Sequence, residues 1–276
     1  MTGDTRYPWA LQLQPERLKS PWWIGHIPFA YELIGRLRPS VVVELGTYSG
    51  SSFAAFCQAL EAVGQPAQCY GIDLWEGDVH MGRFDEELYQ EMASFCAQRY
   101  PSIARLIRKD FNAAVADFAD ASIDLLHIDG THTYEAVGND FRTWLPKMSD
   151  RGVILFHDIN VTMENAGPAS LKFGVRQLFD EVKGPYPHLE FLHCYGLGVL
   201  ITGRSAPDDV LALVRDAAAP GFAEFFAERG ARVSRQFEES GAQVVTHSPY
   251  EDRGPRNPLR RIARRLRALL AGPGQP

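Results

Sequence analysis

The sequence lacks long apolar runs and carries few cysteines. No stretch approaches the roughly 18 consecutive apolar residues of a membrane-spanning helix, and no N-terminal stretch combines basic residues with an apolar core, as a secretory signal does. The four cysteines, which show no CxxC or metal-finger spacing, are Cys57, Cys69, Cys96 and Cys194. This excludes a zinc-finger framework and favours small buried thiols in a reducing compartment. We therefore expect a soluble, cytoplasmic protein.

Positive charge is also scarce. The 276 residues contain 28 Lys and Arg against 34 Asp and Glu, a formal net charge of −6. This balance argues against a general nucleic-acid binder, because such a protein presents a positive field to the phosphates. The sequence contains no internal repeat and no low-complexity tract. With 45% hydrophobic residues, the chain is long enough to bury a full core, as one large domain or as one domain with appendages.

The C-terminus is a local exception to the acidic balance. Residues 246–276 are typical of a polar linker followed by a basic amphipathic helix, which begins at Asn257-Pro258. The apolar stripe and the basic face of this helix consist of Leu259, Ile262, Leu266, Leu269 and Leu270, and of Arg260, Arg261, Arg264 and Arg267. Such a helix suits an anionic inner membrane surface or a protein partner. Packing against its own domain is the alternative.

Short apolar runs alternate with helical patterns through the middle of the chain. The apolar runs cover residues 40–45, 67–73, 103–110, 122–129 and 151–158. Strands separated by helix-length crossovers predict an α/β fold, with a doubly wound, mostly parallel, Rossmann-like sheet and helices on both faces. A helix at about residues 171–183 precedes residues 189–203, which are typical of two strands turning at Tyr195-Gly196. That return makes one edge pair antiparallel.

The same patterns divide the chain into four parts. Residues 1–39 form an N-terminal helical segment that ends at Pro39, and residues 40–205 form the sheet domain. Residues 206–245 carry helical periodicity without a strand signal, so we expect them to pack on the sheet domain as a C-terminal helical extension. The linker and basic helix of residues 246–276 complete the chain.

The turn after the first strand, within "VVVELGTYSGSS", is a candidate ligand cradle, because ligands of open parallel sheets bind beyond the carboxyl ends of the strands. Its Gly46-x-x-x-Gly50 spacing lacks the full GxGxxG fingerprint of a dinucleotide site. Glu44 would repel a pyrophosphate but suits a cationic ligand, and Asp73 is placed to bind a ribose. S-adenosylmethionine meets both demands. The alternative is a tight turn in which Glu44 caps the helix.

The predicted cofactor-binding residues at the first two strand ends are Glu44, Gly46, Tyr48, Gly50, Ser51 and Asp73.

A set of motifs carries a family resemblance across about residues 40–203. The stretches "ELGTYSGSS", "YGIDLWEGDVHMG", "IDLLHIDGTHTYEAVGNDFRTWLPKMSDRGVILFHDIN", "FGV" and "GLGVL" resemble the class I S-adenosylmethionine-dependent methyltransferases. More narrowly, they are similar to the branch of macrocin-type sugar O-methyltransferases and cephalosporin-hydroxylase-like proteins. The resemblance implies a seven-stranded sheet with a reversed last strand. It implies cofactor binding by Gly46, Gly50 and Asp73, and it places Asp110 and Phe111 near the adenine.

Two acid-histidine pairs follow the fourth and fifth apolar runs, in "LHIDGTHTY" and "LFHDIN". Neighbouring strand ends lie about 4.8 Å apart, so Asp129, His132 and Asp158 can converge on one point. The resemblance implies that Asp129 and Asp158 hold a divalent metal and that His132 is the base. Where those relatives have an acid, this chain has His157, so magnesium binds less well, manganese becomes a candidate, and a metal-free enzyme stays open. Alternatively, the acids cap helices, and we interpret His127 as a core residue.

These residues predict methyl transfer to an alcohol. His132 accepts the hydroxyl proton while a magnesium or manganese ion, held by Asp129, His157 and Asp158, stabilises the alkoxide. The predicted acceptor is a hydroxyl of a sugar, a glycan or a glycosylated metabolite; homo-oligomerisation stays open. The loop residues Trp75, Asp78 and His80 and the segment after Asn160 are expected to shape the acceptor pocket.

Two alternatives of other classes remain. One is a non-catalytic binding or assembly subunit of a glycan-synthesis system. The other is a metal-dependent hydroxylase, in which His132, His157 and Asp158 would form a two-histidine, one-carboxylate site.

Overall fold

The computed structural model describes residues 6–12, 14–78 and 82–241 of the chain. The predicted linker and basic helix of residues 246–276 lie outside the described residues, and so does His80. Within the described ranges, none of the helices is long and apolar enough to cross a lipid bilayer.

The strands are β1 (Val41–Leu45), β2 (Gln68–Asp73), β3 (Gly77–Asp78), β4 (Gly82–Arg83), β5 (Ala104–Arg108), β6 (Ile123–Ile128), β7 (Met148–His157), β8 (His188–Phe191) and β9 (Leu197–Ile201). The α-helices are α1 (Pro8–Gln12), α2 (Ile27–Leu37), α3 (Ser51–Val63), α4 (Glu86–Arg99), α5 (Phe111–Ala114), α6 (Tyr134–Trp144), α7 (Met163–Ala166), α8 (Val175–Val182), α9 (Asp208–Ala217) and α10 (Phe222–Glu239).

Seven strands form one sheet in the order β5-β2-β1-β6-β7-β9-β8. The first five in this order are parallel, and β9 runs antiparallel to both of its neighbours, β7 and β8. This confirms the doubly wound, mostly parallel, Rossmann-like sheet with a reversed last strand. We expected one antiparallel pair, and the structure has two because β9 inserts between β7 and β8. The short pair β3 and β4 forms a separate sheet that we did not predict.

The central strands are buried on both faces, as expected where helices cover a parallel sheet. All six residues of β6 are buried. One face packs against the N-terminal segment, α3 and the C-terminal helices, and the other face packs against α6 and α8. Residues 27–37 are helical, as their apolar spacing predicts, and the helix ends just before Pro39. The C-terminal extension is helical as well, with α9 and α10 on the same face as α2.

Candidate active site

The carboxyl ends of the parallel strands open into a cleft of about 1260 Å³. Its walls come from the turn after β1, from the segments that follow β2, β5, β6 and β7, and from the N-terminal segment around Trp22. This is where ligands bind in open α/β sheets, because strand order reverses here and neighbouring loops diverge.

The turn between β1 and α3 depends on two glycines. Gly46 has φ +91°, and a Cβ atom there would lie 2.1 Å from the carbonyl oxygen of Asp129. Gly50 has φ +78°, and its Cβ would lie 2.3 Å from the sulfur of Met92. Both conformations disfavour an L side chain. The tight turn brings Tyr48 and Ser51 to the wall of the cleft.

Asp73 ends β2 and faces the cleft, as predicted. One carboxylate oxygen accepts a hydrogen bond from the backbone N–H of Tyr48 at 2.9 Å, and the other accepts one from the backbone N–H of Trp75 at 2.7 Å. These bonds fix the orientation of the carboxylate before any ligand arrives. A carboxylate has about four acceptor positions, so Asp73 retains the capacity to accept ribose hydroxyls.

Glu44 differs from its predicted role, because its side chain is fully buried and is not part of the cleft wall. Side chains alternate along a strand, so Glu44 points to the same sheet face as Val42, into the core beside Trp23. There its Oε1 lies 3.0 Å from Nδ1 of His127. Burial raises the pKa of Glu44. Glu44 and His127 therefore form a buried polar pair beneath the cleft, and His127 is a core residue, as we interpreted it.

Four side chains meet at the ends of β6 and β7. Ligand atoms of Asp129, His132, His157 and Asp158 all lie within 4.8 Å of one another. His132 Nε2 lies 3.0 Å from Asp158 Oδ2 and 3.3 Å from Asp129 Oδ1. His157 Nδ1 lies 2.9 Å from Asp129 Oδ1 and 3.4 Å from Asp158 Oδ1. The structure thus brings together the four residues that the two sequence motifs singled out.

The orientation of the His157 ring is fixed by a hydrogen bond on the side away from the cluster. Its Nε2 donates a hydrogen bond to the carbonyl oxygen of Cys194 at 3.2 Å. Since Nε2 carries the hydrogen, the neutral ring has its lone pair on Nδ1, which faces the cluster. Metal-binding histidines are held by such a bond from the second ring nitrogen.

The backbone of Asp158 lies in the left-handed region at φ +64°, and its N–H donates to Gly196 O at 3.0 Å. Such strain is typical of functional sites.

The carboxylates control the protonation of the cluster. Burial lowers the pKa of His157, but the charges of Asp158 and Asp129 outweigh burial and raise it to about 9. Burial likewise lowers the pKa of His132, and Asp158 and Asp129 raise it above its usual value. Burial raises the pKa of Asp129, whereas His157 and His132 hold it well below its usual range. Protons and a metal ion would therefore compete for the same ring nitrogens.

His132 is also held from the opposite side of the cleft. The ring of Phe173 stacks on the imidazole, with the ring centroids 5.0 Å apart and the planes 15° from parallel. The N–H of Gly174 donates to the carbonyl oxygen of His132 at 2.8 Å. A Cβ at Gly174 would lie 2.4 Å from the backbone nitrogen of Tyr134, so only glycine allows this close approach. The segment after Asn160 thus reaches the predicted base.

Of the remaining predicted residues, some line the cleft and Trp75 does not. Asp110 and Phe111 line the cleft after β5, and Asp110 Oδ1 also caps α5 by accepting from Asn112 N at 2.9 Å. The segment after Asn160 lines the cleft as expected. Trp75 differs from the expectation, because it is 1% exposed and donates through Nε1 to Tyr48 O at 2.9 Å. Trp75 therefore supports the turn from behind and does not shape a pocket.

Sequence reasoning missed several residues that line the cleft, namely Trp22, Phe84, Asp140 and Tyr195. Asp140 had a detectable signal, since it falls on the face of α6 that also carries Val137, Phe141 and Trp144. An acid in such an apolar stripe is either a buried structural group or part of a site. The positions of the others depend on how distant segments pack.

Asp140 provides a stability test. It is 5% exposed, and burial, followed by the charge of Asp110, raises its pKa from 3.8 to about 7. A raised carboxyl pKa destabilises the folded state above the unfolded pKa, so the penalty grows from about pH 4 to about pH 7 and then stays constant. The Asp140→Asn variant lacks this penalty. We expect its gain in unfolding free energy over wild type to be larger at pH 8 than at pH 5 by up to about 3 kcal/mol. Urea unfolding at both pH values measures this, and an equal gain at both would contradict it.

The fold and the cleft agree with the comparisons to known proteins. Residues 43–159, from β1 to just beyond β7, match a family described as methyltransferase domain. This match and the strand order support a class I methyltransferase domain in this part of the chain. Uncharacterized protein y4gI of Sinorhizobium fredii (strain NBRC 101917 / NGR234) is 40% identical over 193 residues, or 70% of this chain. The chain spans only 20% of the length of that relative.

Solved methyltransferase structures are similar at low identity. The O-methyltransferase TomG from Streptomyces achromogenes, involved in tomaymycin synthesis and solved in complex with SAM, is 16% identical, with a TM-score of 0.49 over 73% of this chain and 92% of TomG. The SAH-bound methyltransferase PaMTH1 from Podospora anserina is 14% identical, with a TM-score of 0.48 over 71% of this chain and 85% of PaMTH1.

Proposed function

We propose that this protein is an S-adenosylmethionine-dependent O-methyltransferase, assisted by a divalent metal, that methylates a hydroxyl of a sugar, a glycan or a glycosylated metabolite. One observation carries the proposal. A histidine that can act as a base lies with two carboxylates and a second histidine in the same cleft as a glycine turn and a strand-end acid. These are the parts that cofactor binding, proton removal and alkoxide stabilisation require.

The cofactor would extend along the strand ends. Asp73 would accept hydrogen bonds from the ribose hydroxyls, and the close turn from Gly46 to Gly50 leaves room for the methionine part. The cleft of about 1260 Å³ exceeds the 300–1,000 Å³ of ordinary small-ligand sites. It therefore has space for a cofactor and an acceptor together.

His132 would take the acceptor's proton. Its Nε2 faces the cluster, and the neighbouring carboxylate of Asp158 at 3.0 Å would stabilise the imidazolium that forms. Phe173 stacks on the ring, and the N–H of Gly174 holds the backbone carbonyl of His132. A fixed base needs no reorientation during transfer, which favours reaction at the bound geometry.

The donor set fits a divalent cation. Asp129, His157 and Asp158 would hold it. Binding would displace the proton from Nδ1 of His157, the ring nitrogen that faces the cluster because Nε2 donates to Cys194 O. Imidazole with carboxylate suits manganese and related ions better than magnesium. The ion would stabilise the negative charge that develops on the acceptor oxygen.

Aromatic side chains support a ring-shaped acceptor. Tyr48 and Phe84 lie with their ring centroids 4.9 Å apart, and Trp22 lies 6.3 Å from Tyr48. All three line the cleft. Flat aromatic surfaces with a polar edge suit a sugar, which presents an apolar ring face and several hydroxyls.

The proposed function predicts a dependence of cofactor binding on Asp73. We expect Asp73→Ala to weaken S-adenosylmethionine binding by about 10-fold or more, since hydrogen bonds to a charged group are lost and the turn loses two supporting bonds. Isothermal calorimetry measures the dissociation constants. Asp120→Asn is the matched control, because Asp120 pairs with Lys147 at 2.7 Å and its side chain is 75% exposed. An unchanged constant in Asp73→Ala would contradict this cofactor site.

The activity itself is tested by release of S-adenosylhomocysteine with a panel of sugars and glycosides. Product formation supports the enzyme, whereas cofactor binding without turnover on any acceptor favours a binding subunit.

The cluster also favours a second candidate. His132, His157 and Asp158 place two imidazoles and a carboxylate around one point, a donor set that non-haem iron oxygenases use. Product formation that requires iron and oxygen, and not S-adenosylmethionine, would support a hydroxylase.

A further inference from the structure

The turn between β8 and β9 contains three consecutive residues in the left-handed backbone region. Their φ angles are +49° at Cys194, +65° at Tyr195 and +92° at Gly196. Glycine adopts such angles freely, whereas a residue as bulky as tyrosine rarely does. A strained residue that the surrounding structure holds in place is a reason to look for a functional role.

Backbone carbonyl groups of this turn bind the segment that carries Asp158. The carbonyl oxygen of Gly196 accepts from the N–H of Asp158 at 3.0 Å, and that of Tyr195 accepts from the N–H of Asn160 at 2.7 Å. A Cβ at Gly196 would lie 2.7 Å from the backbone nitrogen of Asn160, so a side chain does not fit there. At residue 195 the contact needs only a carbonyl group, and glycine would provide it without strain. The backbone contacts therefore do not explain why residue 195 is a tyrosine.

The side chain of Tyr195 is half-buried and lines the cleft. In the part of the chain that the structure describes, its hydroxyl makes no hydrogen bond and its ring contacts no other aromatic ring. The hydroxyls of two other tyrosines, in contrast, have clear structural partners: Tyr31 donates to Gln58 at 2.6 Å, and Tyr100 donates to Glu16 at 2.9 Å. The phenol of Tyr195 is thus left to interact with a ligand in the cleft.

This phenol is suited to donate a hydrogen bond near the base. Burial, followed by Cys194 and Asp158, raises its pKa above the usual 10.0, so the phenol keeps its proton at neutral pH. Tyr195 and Asp158 both line the cleft, and Asp158 Oδ2 lies 3.0 Å from Nε2 of His132. A ligand group bound by the phenol would therefore lie beside the cluster.

We propose that Tyr195 is an acceptor-binding residue, whose phenol hydrogen-bonds a second hydroxyl of the acceptor while His132 takes the proton of the hydroxyl that is methylated. This inference rests on the proposed function. A sugar carries hydroxyls on successive ring carbons, so one hydroxyl can face the base while another meets the phenol. The site therefore favours acceptors with several hydroxyls over simple alcohols and restricts which hydroxyl reaches the base.

Two replacements separate the side chain from the backbone. Tyr195→Phe removes only the hydroxyl, and Tyr195→Gly removes the whole side chain while it suits the left-handed backbone. With methyl hexopyranosides as acceptors, we expect Tyr195→Phe to raise KM by about 3- to 10-fold, the value of one hydrogen bond. Its kcat should stay within about two-fold of wild type, because the contact is made before and during transfer. Tyr195→Gly should raise KM at least as much, and calorimetry should show unchanged S-adenosylhomocysteine affinity in both variants.

Monodeoxy derivatives of the accepted hexopyranoside test the contact directly. One of them lacks the hydroxyl that meets the phenol, and wild type should have a similarly raised KM for it. Tyr195→Phe should show no further loss with this derivative, because the two changes remove the same hydrogen bond. Tyr186→Phe is the matched control, since it removes a tyrosine hydroxyl outside the cleft and should keep the wild-type KM.

The outcomes distinguish this inference from the proposed function. If wild type forms no S-adenosylhomocysteine with any acceptor, the proposed function fails and the role of Tyr195 fails with it. If wild type is active and Tyr195→Phe keeps the wild-type KM, the role of Tyr195 is overturned while the function stands. A loss of kcat or of cofactor affinity at unchanged KM also overturns it, because the phenol would then support the site and not the acceptor. Thermal unfolding checks the fold of each variant, and if Tyr195→Gly does not fold, Tyr195→Phe decides.

Discussion

Methyl transfer by the His132→Ala variant is expected to be about 10²- to 10⁴-fold slower than by wild type, with cofactor affinity nearly unchanged. The base acts only while the hydroxyl attacks, so its removal lowers kcat and leaves ground-state binding intact. Initial rates of S-adenosylhomocysteine formation and calorimetry with the cofactor measure the two quantities. The effect exceeds that of a lost hydrogen bond, because the variant has no group at this position to accept the proton during the chemical step.

His188→Ala is the control for this experiment. His188 lies on β8, and its Nδ1 bonds to the carbonyl oxygen of Tyr186 at 2.9 Å, outside the cleft. Its replacement should leave the rate within about two-fold of wild type, as is usual for changes away from a site. Full activity of His132→Ala would discard the proposed mechanism.

The second large effect concerns the two carboxylates. Asp129→Asn and Asp158→Asn should each abolish tight manganese binding and reduce methyl transfer to the level seen in EDTA, because each removes an anionic ligand from a site that already has an imidazole in place of an acid. Asparagine is the suitable replacement at residue 158, since it tolerates the φ of +64° found there. Calorimetry with manganese reports metal binding independently of turnover.

Wild-type activity in EDTA decides what this result means. If methyl transfer is undiminished in EDTA, the metal has no role, although His132 can still be the base. If manganese restores the rate and magnesium does not, the imidazole of His157 has the expected effect on the choice of ion.

The sequence predicts the convergence of four residues because each follows directly on a recognisable strand. These residues are Asp129, His132, His157 and Asp158. Each motif follows a buried apolar run, and adjacent parallel strands end at the same edge of the sheet. Glu44 was misplaced although the sequence contains the relevant signal. Alternation along β1 puts Glu44 on the same sheet face as Val42. The pattern does not indicate whether that face meets the cleft or the core, because the neighbouring strand residues on both faces are apolar.

Other parts of the site could not be anticipated, since they depend on packing between distant segments. Trp22 reaches the cleft because the N-terminal segment is fastened to the turn, where Arg17 Nε donates to Ser49 O at 2.9 Å. Tyr195 reaches it because the turn from β8 to β9 adopts positive φ values at Cys194, Tyr195 and Gly196. Periodicity within either segment carries no information about these contacts.

The stretch between Asn160 and Gly174 is anchored at both of its ends. Asn160 donates through Nδ2 to Leu192 O at 2.7 Å, and Gly174 bonds to the base loop. Between them, Met163 is 57% exposed and Leu171 is 80% exposed, so most of this stretch contributes little to the core. Evolution or design can therefore vary the composition of residues 163–171 at small cost in folding. Under the proposed function, the acceptor range could then change while His132 and its partners at the strand ends stay the same.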